Sequence, residues 1–137
     1  MFLLQNVVME IDGSVRGSSI HVLQSRYIVY IRRYMKYFKR EQIHVVDGDA
    51  LIENPLPELR KIESFLGQKH QFNETNVYFD KNKGFYCVEK QGNGKCLGAN
   101  KGRAHPTVDS HVIKKLKKYF RPFNLEFYNA VGQNFDW

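Results

Sequence analysis

Two cysteines, Cys87 and Cys96, constrain this chain more than any other feature, because they are the only two in its 137 residues. Gly92, Asn93 and Gly94 lie between them, and these residue types supply the positive φ angles that a tight β-turn requires. The sequence therefore predicts a hairpin in which the two thiols face each other across paired strands. A disulfide closing so short a loop would stabilise the fold by about 2–3 kcal/mol. The alternative is two partly buried free thiols in a reducing compartment.

A short basic loop follows the second cysteine. Lys101, Arg103 and His105 place three cationic or potentially cationic side chains within five residues, separated by Gly102 and Ala104. Because Gly102 has no Cβ, a ligand can approach the backbone N–H groups closely, and successive amides can form a concave anion site. The arginine adds a planar fork that suits two oxygens of a phosphate or sulfate ester. The alternative is a solvated surface turn.

Five segments of the chain carry a family resemblance. They are KGFYC at 83–87, the second cysteine at 96, KGRAHP at 101–106, QIHVVDGDALIENP at 42–55 and FDW at 135–137. Together they resemble the carboxyl-terminal half of the heparan sulfate glucosamine 3-O-sulfotransferases, over about residues 20–137. The resemblance implies a partial, doubly wound, P-loop-like α/β fold with a disulfide-closed β hairpin and carboxyl-terminal helices. It also implies that residues 1–137 are the carboxyl-terminal portion of a single sulfotransferase domain whose amino-terminal half is missing.

The resemblance also assigns roles to individual residues. Tyr86 would pack on or hydrogen-bond the nucleotide of 3′-phosphoadenylyl sulfate, the sulfuryl donor, and its alternative role is that of a core aromatic. Lys95 would face the sulfated sugar chain together with Lys101 and Arg103, and its alternative is an idle surface lysine. The loop along the phosphates of the donor would consist of Lys101, Gly102, Arg103, Ala104 and His105.

The implied reaction is in-line transfer of a sulfuryl group to a glucosamine hydroxyl, in which positioning and charge neutralisation supply most of the catalysis. The family's catalytic base and its 5′-phosphosulfate loop have no counterpart in this sequence, so no residue is assigned as catalytic and we expect a fragment. No metal-ligand spacing is present, and we expect no metal. A non-catalytic module that binds heparan sulfate or another polyanion is the alternative function.

Hydrophobic periodicity predicts the elements around these motifs. A helix over about 20–38 would bury Leu23, Tyr27, Ile31, Tyr34 and Phe38, and residues 43–46 would form a buried strand that contains a satisfied core histidine, His44. A second helix is expected from about residue 57, with a glycine cap at 67, and hairpin strands are expected at about 76–80 and 85–90. Two further helices would start at Asp109 and Pro122, and Trp137 would anchor the packing of the chain end.

The charge and the processing signals indicate the compartment and the partners. The net charge of +7 favours a polyanionic partner, for which charge alone does not distinguish heparan sulfate, nucleic acid and acidic membrane. The sequence has no zinc-finger spacing or aromatic RNP run, so we expect no nucleic acid, and the resemblance implies heparan sulfate. Asn73, followed by Glu74 and Thr75, is a candidate N-glycosylation site, which with the cysteine pair indicates the Golgi lumen or secretory pathway.

Residues 1–8 resemble neither a signal peptide nor a membrane span, and a membrane anchor in a missing amino-terminal segment is left open, as is the oligomeric state. Two further basic clusters are expected to be solvated helix faces. They are Arg32, Arg33, Lys36, Lys39 and Arg40, and Lys114, Lys115, Lys117, Lys118 and Arg121.

Overall fold

The structure is a computed structural model that describes residues 4–89, 96–98 and 107–135. Their contacts form two compact units, one drawn from residues 4–43 and 107–135 and the other from 44–89 and 96–98. The first unit contains α1 (Leu4–Val8), α2 (Ile20–Gln24), α3 (Tyr27–Tyr34), a 3-10 turn (Arg40–Gln42) and α6 (Ser110–Val131). The second contains α4 (Gly48–Glu53), α5 (Pro55–Phe65), β1 (Val77–Asp80) and β2 (Phe85–Val88). None of the helices in the described residues combines the length and the apolar character that a membrane span requires.

The core of the first unit joins the start of α6 to α1 and α2. Val8, Val22 and Val112 are buried together, and partly buried side chains such as Leu116 and Phe120 pack against them. Farther along, α6 lies against α3, where the rings of Tyr27 and Phe127 are 5.8 Å apart. The long carboxyl-terminal helix is therefore the element around which this unit is built.

The single helix expected over residues 20–38 is in fact two helices. Ser25 donates its hydroxyl to the carbonyl of His21 (2.8 Å), and Arg26 leaves helical geometry at φ −83°, ψ 77°. This break shifts the phase of the apolar stripe, so that Val22, Ile28 and Ile31 are buried. Of the expected stripe only Ile31 is buried. The other members, Leu23, Tyr27, Tyr34 and Phe38, are exposed.

The helix start expected at Asp109 is confirmed, but Pro122 begins no new helix. The Asp109 side chain accepts a hydrogen bond from the His111 N–H (2.8 Å), and α6 then runs unbroken through Pro122 to Val131, where Gly132 caps it with φ +66°. Proline removes one helical hydrogen bond and ordinarily breaks a helix. Here the guanidinium of Arg26 lies 4.8 Å from the Phe123 ring centre and 5.5 Å from that of Tyr119, so packing holds the turns on both sides of the proline together.

In the second unit, α4 was not expected and α5 starts earlier than expected. The Asp47 side chain caps α4 by accepting hydrogen bonds from the N–H groups of Asp49 (3.0 Å) and Ala50 (3.2 Å). Pro55, rather than the proline at 57, opens α5, and its fixed φ suits the first position of a helix. Gly67, with φ +65°, follows the end of α5 as predicted.

The strands expected at about 76–80 and 85–90 are confirmed by the antiparallel pair β1 and β2. Their register places Tyr78 opposite Cys87 and Phe79 opposite Tyr86. Asp80 shapes the connecting turn by accepting hydrogen bonds from the N–H groups of Asn82 (2.9 Å) and Lys83 (3.2 Å). Gly84 completes the turn with φ +74°, a conformation that glycine adopts without steric cost.

The buried strand expected at residues 43–46 is not formed. The segment is partly exposed, and the backbone is extended at Ile43 (φ −120°, ψ 116°), yet no strand in the described residues pairs with it. A strand is defined by its ladder of hydrogen bonds to a neighbour. The described residues therefore show mixed helices and one two-stranded sheet.

Candidate functional site

A disulfide between Cys87 and Cys96 confirms the expected cysteine pairing. Their Cα atoms are 5.1 Å apart, and the Cys87 side chain is buried within β2. The expected strand arrangement is corrected, however, because β2 pairs with β1 and Cys96 lies outside any strand. The turn expected at residues 92–94 lies outside the described residues. The turn at 81–84 connects β1 to β2. The disulfide therefore links residue 96 to the middle of that hairpin.

Tyr86 lies on β2 immediately before the disulfide. Successive residues of a strand point to opposite faces, so its ring projects away from the buried Cys87 side chain. The ring packs edge-to-face against Phe79 of β1, with centroids 5.2 Å apart, and is only partly buried. Phe79 itself is half exposed. In the described residues, the two rings therefore form an aromatic surface on one face of the hairpin rather than part of a core.

The remaining residues assigned to the nucleotide and the sugar chain lie outside the described residues. These are Lys95, Lys101, Gly102, Arg103, Ala104 and His105, and the expected packing anchor Trp137 also lies outside them. Their roles stay predictions.

His44 packs as expected but does not satisfy its hydrogen bonds. Its ring stacks on Phe65 of α5, with centroids 5.1 Å apart and planes 25° apart. Its Nε2 atom is buried and has no partner among the described residues. The expectation of a satisfied core histidine in a strand is therefore wrong on both points: among the described residues no strand pairs with this segment, and Nε2 has no hydrogen-bond partner.

A buried carboxylate, Glu63, organises the loop that leads from α5 to β1. It accepts hydrogen bonds from the backbone N–H groups of Gln71 (2.6 Å) and Phe72 (3.2 Å), and its other oxygen is 3.1 Å from Nδ1 of His70. Burial alone would raise the pKa of Glu63, but these hydrogen bonds together outweigh it and hold the pKa below its ordinary value. Sequence periodicity missed this residue, since a glutamate in a helix is normally exposed.

Asn73, the candidate glycosylation site, lies in this loop and is partly buried. Its side-chain oxygen accepts hydrogen bonds from the N–H groups of Thr75 (2.9 Å) and Asn76 (3.2 Å) and from the Thr75 hydroxyl. A cleft of about 840 Å³ lies beside it, bounded by the end of α5 and the hairpin base. Among the described residues its lining contains the acidic side chains Glu63 and Glu89 and neither a lysine nor an arginine.

The two basic clusters are not simply solvated helix faces. Arg40 donates to the carbonyls of Val131 and Ile43, and Lys115 donates to the carbonyl of Gly13, so both side chains hold backbone segments together. Arg32 forms an ion pair with Glu126 (2.8 Å). Three members of the second cluster have a different environment, because they line a cleft of about 540 Å³. They are Lys117, Lys118 and Arg121.

One group of residues in the described part of the chain has the spacing of a metal site, but its chemistry is unsuitable. Asp80, Cys87 and Cys96 offer ligand atoms within 4.8 Å of one another. Both sulfurs are already bonded to each other, and a thiolate rather than a disulfide sulfur is the ligand that binds metals. The cluster is therefore a disulfide with a neighbouring carboxylate.

Comparison with known proteins establishes the family. The model of the sulfotransferase domain matches residues 16–134, which is most of the chain. The chain belongs to the sulfotransferase family. The resemblance drawn from the cysteine hairpin, the basic loop and the 42–55 segment is thereby confirmed.

Three relatives of this sulfotransferase chain are named heparan sulfate glucosamine 3-O-sulfotransferases. It is 47% identical over 117 residues to human heparan sulfate glucosamine 3-O-sulfotransferase 5, covering 85% of this chain and 34% of the relative. It is 40% identical over 114 residues to mouse heparan sulfate glucosamine 3-O-sulfotransferase 3B1, covering 81% and 29%. The mouse enzyme numbered 6 is 38% identical over 114 residues, covering 81% and 33%. The chain thus spans about a third of the length of these relatives.

Proposed function

We propose that this chain is the carboxyl-terminal part of an enzyme that transfers a sulfuryl group from 3′-phosphoadenylyl sulfate to a glucosamine hydroxyl of heparan sulfate. The observation that carries the proposal is the 47% identity to heparan sulfate glucosamine 3-O-sulfotransferase 5, which extends over 85% of the chain. The Cys87–Cys96 disulfide supports it, because it is a feature that the resemblance requires.

In this proposal the hairpin and the basic loop bind the donor. Tyr86 contributes a partly exposed ring next to the disulfide, which suits packing against a nucleotide. The loop of Lys101, Gly102, Arg103, Ala104 and His105 lies along the donor phosphates. Within it, the fork of Arg103 and the point charge of Lys101 offset charge on the donor oxygens. When bound, the donor supplies the sulfuryl group, and the protein's part is to position it and neutralise its charge.

The sugar chain is proposed to contact Lys95, Lys101 and Arg103. We assign no catalytic base in this chain, because the resemblance places that residue and the 5′-phosphosulfate loop in the other half of the domain. No metal is required in this scheme, since cationic side chains take the role that a metal has in many phosphoryl transfers.

The proposed fold is a doubly wound α/β domain that continues beyond this chain, with residues 1–137 as its carboxyl-terminal portion. The support is the extended backbone at Ile43 and the unpaired Nε2 atom of His44 in the segment that lacks a strand partner among the described residues. Strands buried on both faces are usual in such sheets. A strand from the rest of the domain would supply the missing ladder.

The proposed compartment is the Golgi lumen or another part of the secretory pathway. The disulfide supports an oxidising compartment, and Asn73 with Thr75 supplies the acceptor sequence for N-glycosylation. Treatment of the secreted or luminal protein with an N-glycosidase should increase its gel mobility. Because the Asn73 side chain also shapes the loop, Thr75→Ser, which keeps the acceptor sequence and the hydroxyl, is the control for Thr75→Ala.

The test of the function is sulfate transfer by the complete gene product. With labelled donor and N-sulfated heparan as acceptor, the wild-type protein should transfer label, and Arg103→Ala should lower the rate by about 100-fold. Arg33→Ala, an exposed arginine outside the basic loop, is the matched control and should leave the rate unchanged. Retained binding of heparan sulfate without any transfer by the wild type would instead favour the non-catalytic polyanion-binding module.

A further inference from the structure

A basic cleft lies along α6 from its middle toward its carboxyl-terminal end, away from the hairpin motifs in the sequence. The helix supplies Lys117, Lys118, Arg121 and Asn124, and Asn134 closes the cleft from the segment after the helix. That segment is held against α6 because the Phe135 ring packs on Tyr128 and on Phe127, with centroids 5.5 Å and 5.9 Å away. The cleft volume, about 540 Å³, is in the range of roughly 300–1,000 Å³ that is usual for small-ligand sites.

The positive charge of this cleft is uncompensated in the described part of the chain. Lys117, Lys118 and Arg121 are exposed and form no hydrogen bond or ion pair with described residues. Glu126, on the same helix, is already engaged by Arg32. Residues spaced three and four apart lie on the same side of a helix, so the three cations face one space. Such a concentration of like charge attracts an anion with several charged groups.

The side chains around the cations indicate which kind of anion fits. Tyr128 and Phe135 are buried, at 9% and 5% exposure, so they form the floor and present no open ring face on which a nucleobase could stack. Asn124 and Asn134 add amides, which can bond to hydroxyl groups, and Leu125 adds a half-exposed apolar surface. Amides, an apolar patch and three cations suit a sulfated sugar better than a nucleic acid.

We propose that this cleft is a second binding site for the sulfated polysaccharide, formed by residues other than Lys95, Lys101 and Arg103. The inference rests on the proposed function for the identity of the polysaccharide. The cleft would bind sulfate groups through Lys117, Lys118 and Arg121 while the amides contact sugar hydroxyls. The cleft would thereby hold the polysaccharide at residues that are distant in sequence from the basic loop at 101–105. Such a contact affects the affinity for the polysaccharide rather than the rate of the chemical step.

The experiment measures binding of a size-defined, N-sulfated heparin octasaccharide by titration calorimetry, using the complete gene product. The cleft variant carries Lys117→Gln, Lys118→Gln and Arg121→Gln. The control variant carries Lys36→Gln, Lys69→Gln and Lys114→Gln, which remove the same charge from exposed positions outside the cleft. Glutamine has a helix propensity close to those of lysine and arginine, so the substitutions preserve the helix.

The cleft variant should bind the octasaccharide roughly tenfold more weakly than the wild type, as expected for the loss of three solvent-exposed charge contacts. The control should change affinity by less than about twofold. Equal losses in the two variants would show a general charge effect and overturn the proposal, as would unchanged affinity in the cleft variant. Weaker binding of adenosine 3′,5′-bisphosphate by the cleft variant would assign the cleft to the nucleotide and also overturn it.

The two proposals fail in different ways. If the wild type transfers no sulfate but the cleft variant still loses octasaccharide affinity, the proposed function fails and the binding cleft stands. If the wild type transfers sulfate and the cleft variant binds like the control, the enzyme stands and the cleft proposal is wrong.

Discussion

Removing the disulfide should destabilise the chain by about 2.5–3 kcal/mol. Cys87 and Cys96 are nine residues apart, and the chain-entropy expression for a loop of about ten residues gives roughly 2.7 kcal/mol at 25 °C. The variant Cys87→Ala with Cys96→Ala removes the bond without placing a buried hydroxyl at position 87, where the side chain is 2% exposed. Removing the buried sulfur of Cys87 also costs packing energy, so we expect the double variant to lie at the upper end of the 2.5–3 kcal/mol range, at about 3 kcal/mol.

The assay is urea unfolding followed by far-ultraviolet circular dichroism. With an m-value of about 1–3 kcal/mol/M, the midpoint should fall by roughly 1–3 M urea. Reduced wild-type protein is the matched control, because it lacks the bond but keeps both sulfur atoms, and it should lie close to the double variant. A difference below about 0.5 kcal/mol between oxidised and reduced wild type would refute the reasoning. Two titratable thiols in the unreduced, denatured protein would refute the pairing itself.

Three further predictions concern the helices and the loop. Pro122→Ala should raise the free energy of unfolding by about 1–3 kcal/mol, because it restores the backbone N–H that proline lacks within α6. A lower free energy of unfolding, measured by urea titration, would show that the helix depends on the proline. Asp109→Ala should lower the free energy of unfolding by about 1 kcal/mol in the same urea titration, because it removes the side-chain oxygen that accepts from the His111 N–H. Asp109→Asn keeps such an oxygen and should retain most of the wild-type stability. The Glu63 pKa is lower in the folded protein than its ordinary value of 4.5, so its contribution is present above pH 4.5 and is lost as the pH falls through the folded value. Glu63→Gln should therefore flatten the acid side of the stability profile, and an unchanged profile would contradict the loop contacts.

The sequence was sufficient for features that depend on local chemistry. The Asp109 cap, the β1–β2 hairpin, Gly67 after α5 and the cysteine pair were all predicted from residue types with strong local preferences. Such features depend on neighbouring residues only, so no knowledge of the tertiary structure is needed.

The errors occurred where tertiary packing overrides local preference. Pro122 is a strong break signal, but the packing of Tyr119 and Phe123 around Arg26 carries α6 through it. In the segment around 20–38, a side-chain hydrogen bond from Ser25 and the turn at Arg26 divide what periodicity treated as one helix. Apolar spacing predicts neither the continuity of α6 nor the break between α2 and α3. The first depends on a contact with another part of the unit, and the second depends on one side-chain hydrogen bond.

The error at Pro122 also hid the basic cleft. Lys117, Lys118 and Arg121 precede the proline, whereas Asn124 and Tyr128 follow it, so a helix ending at Pro122 divides the lining between two elements. Once α6 is continuous, the spacings of three and four residues align these side chains on one face. The cations then differ from Lys115 of the same cluster, which is engaged with a backbone carbonyl, while these three have no partner among the described residues. The continuity of α6 is thus the structural condition for the second polysaccharide site, and any variant that breaks the helix at Pro122 should weaken octasaccharide binding even with all three cations in place.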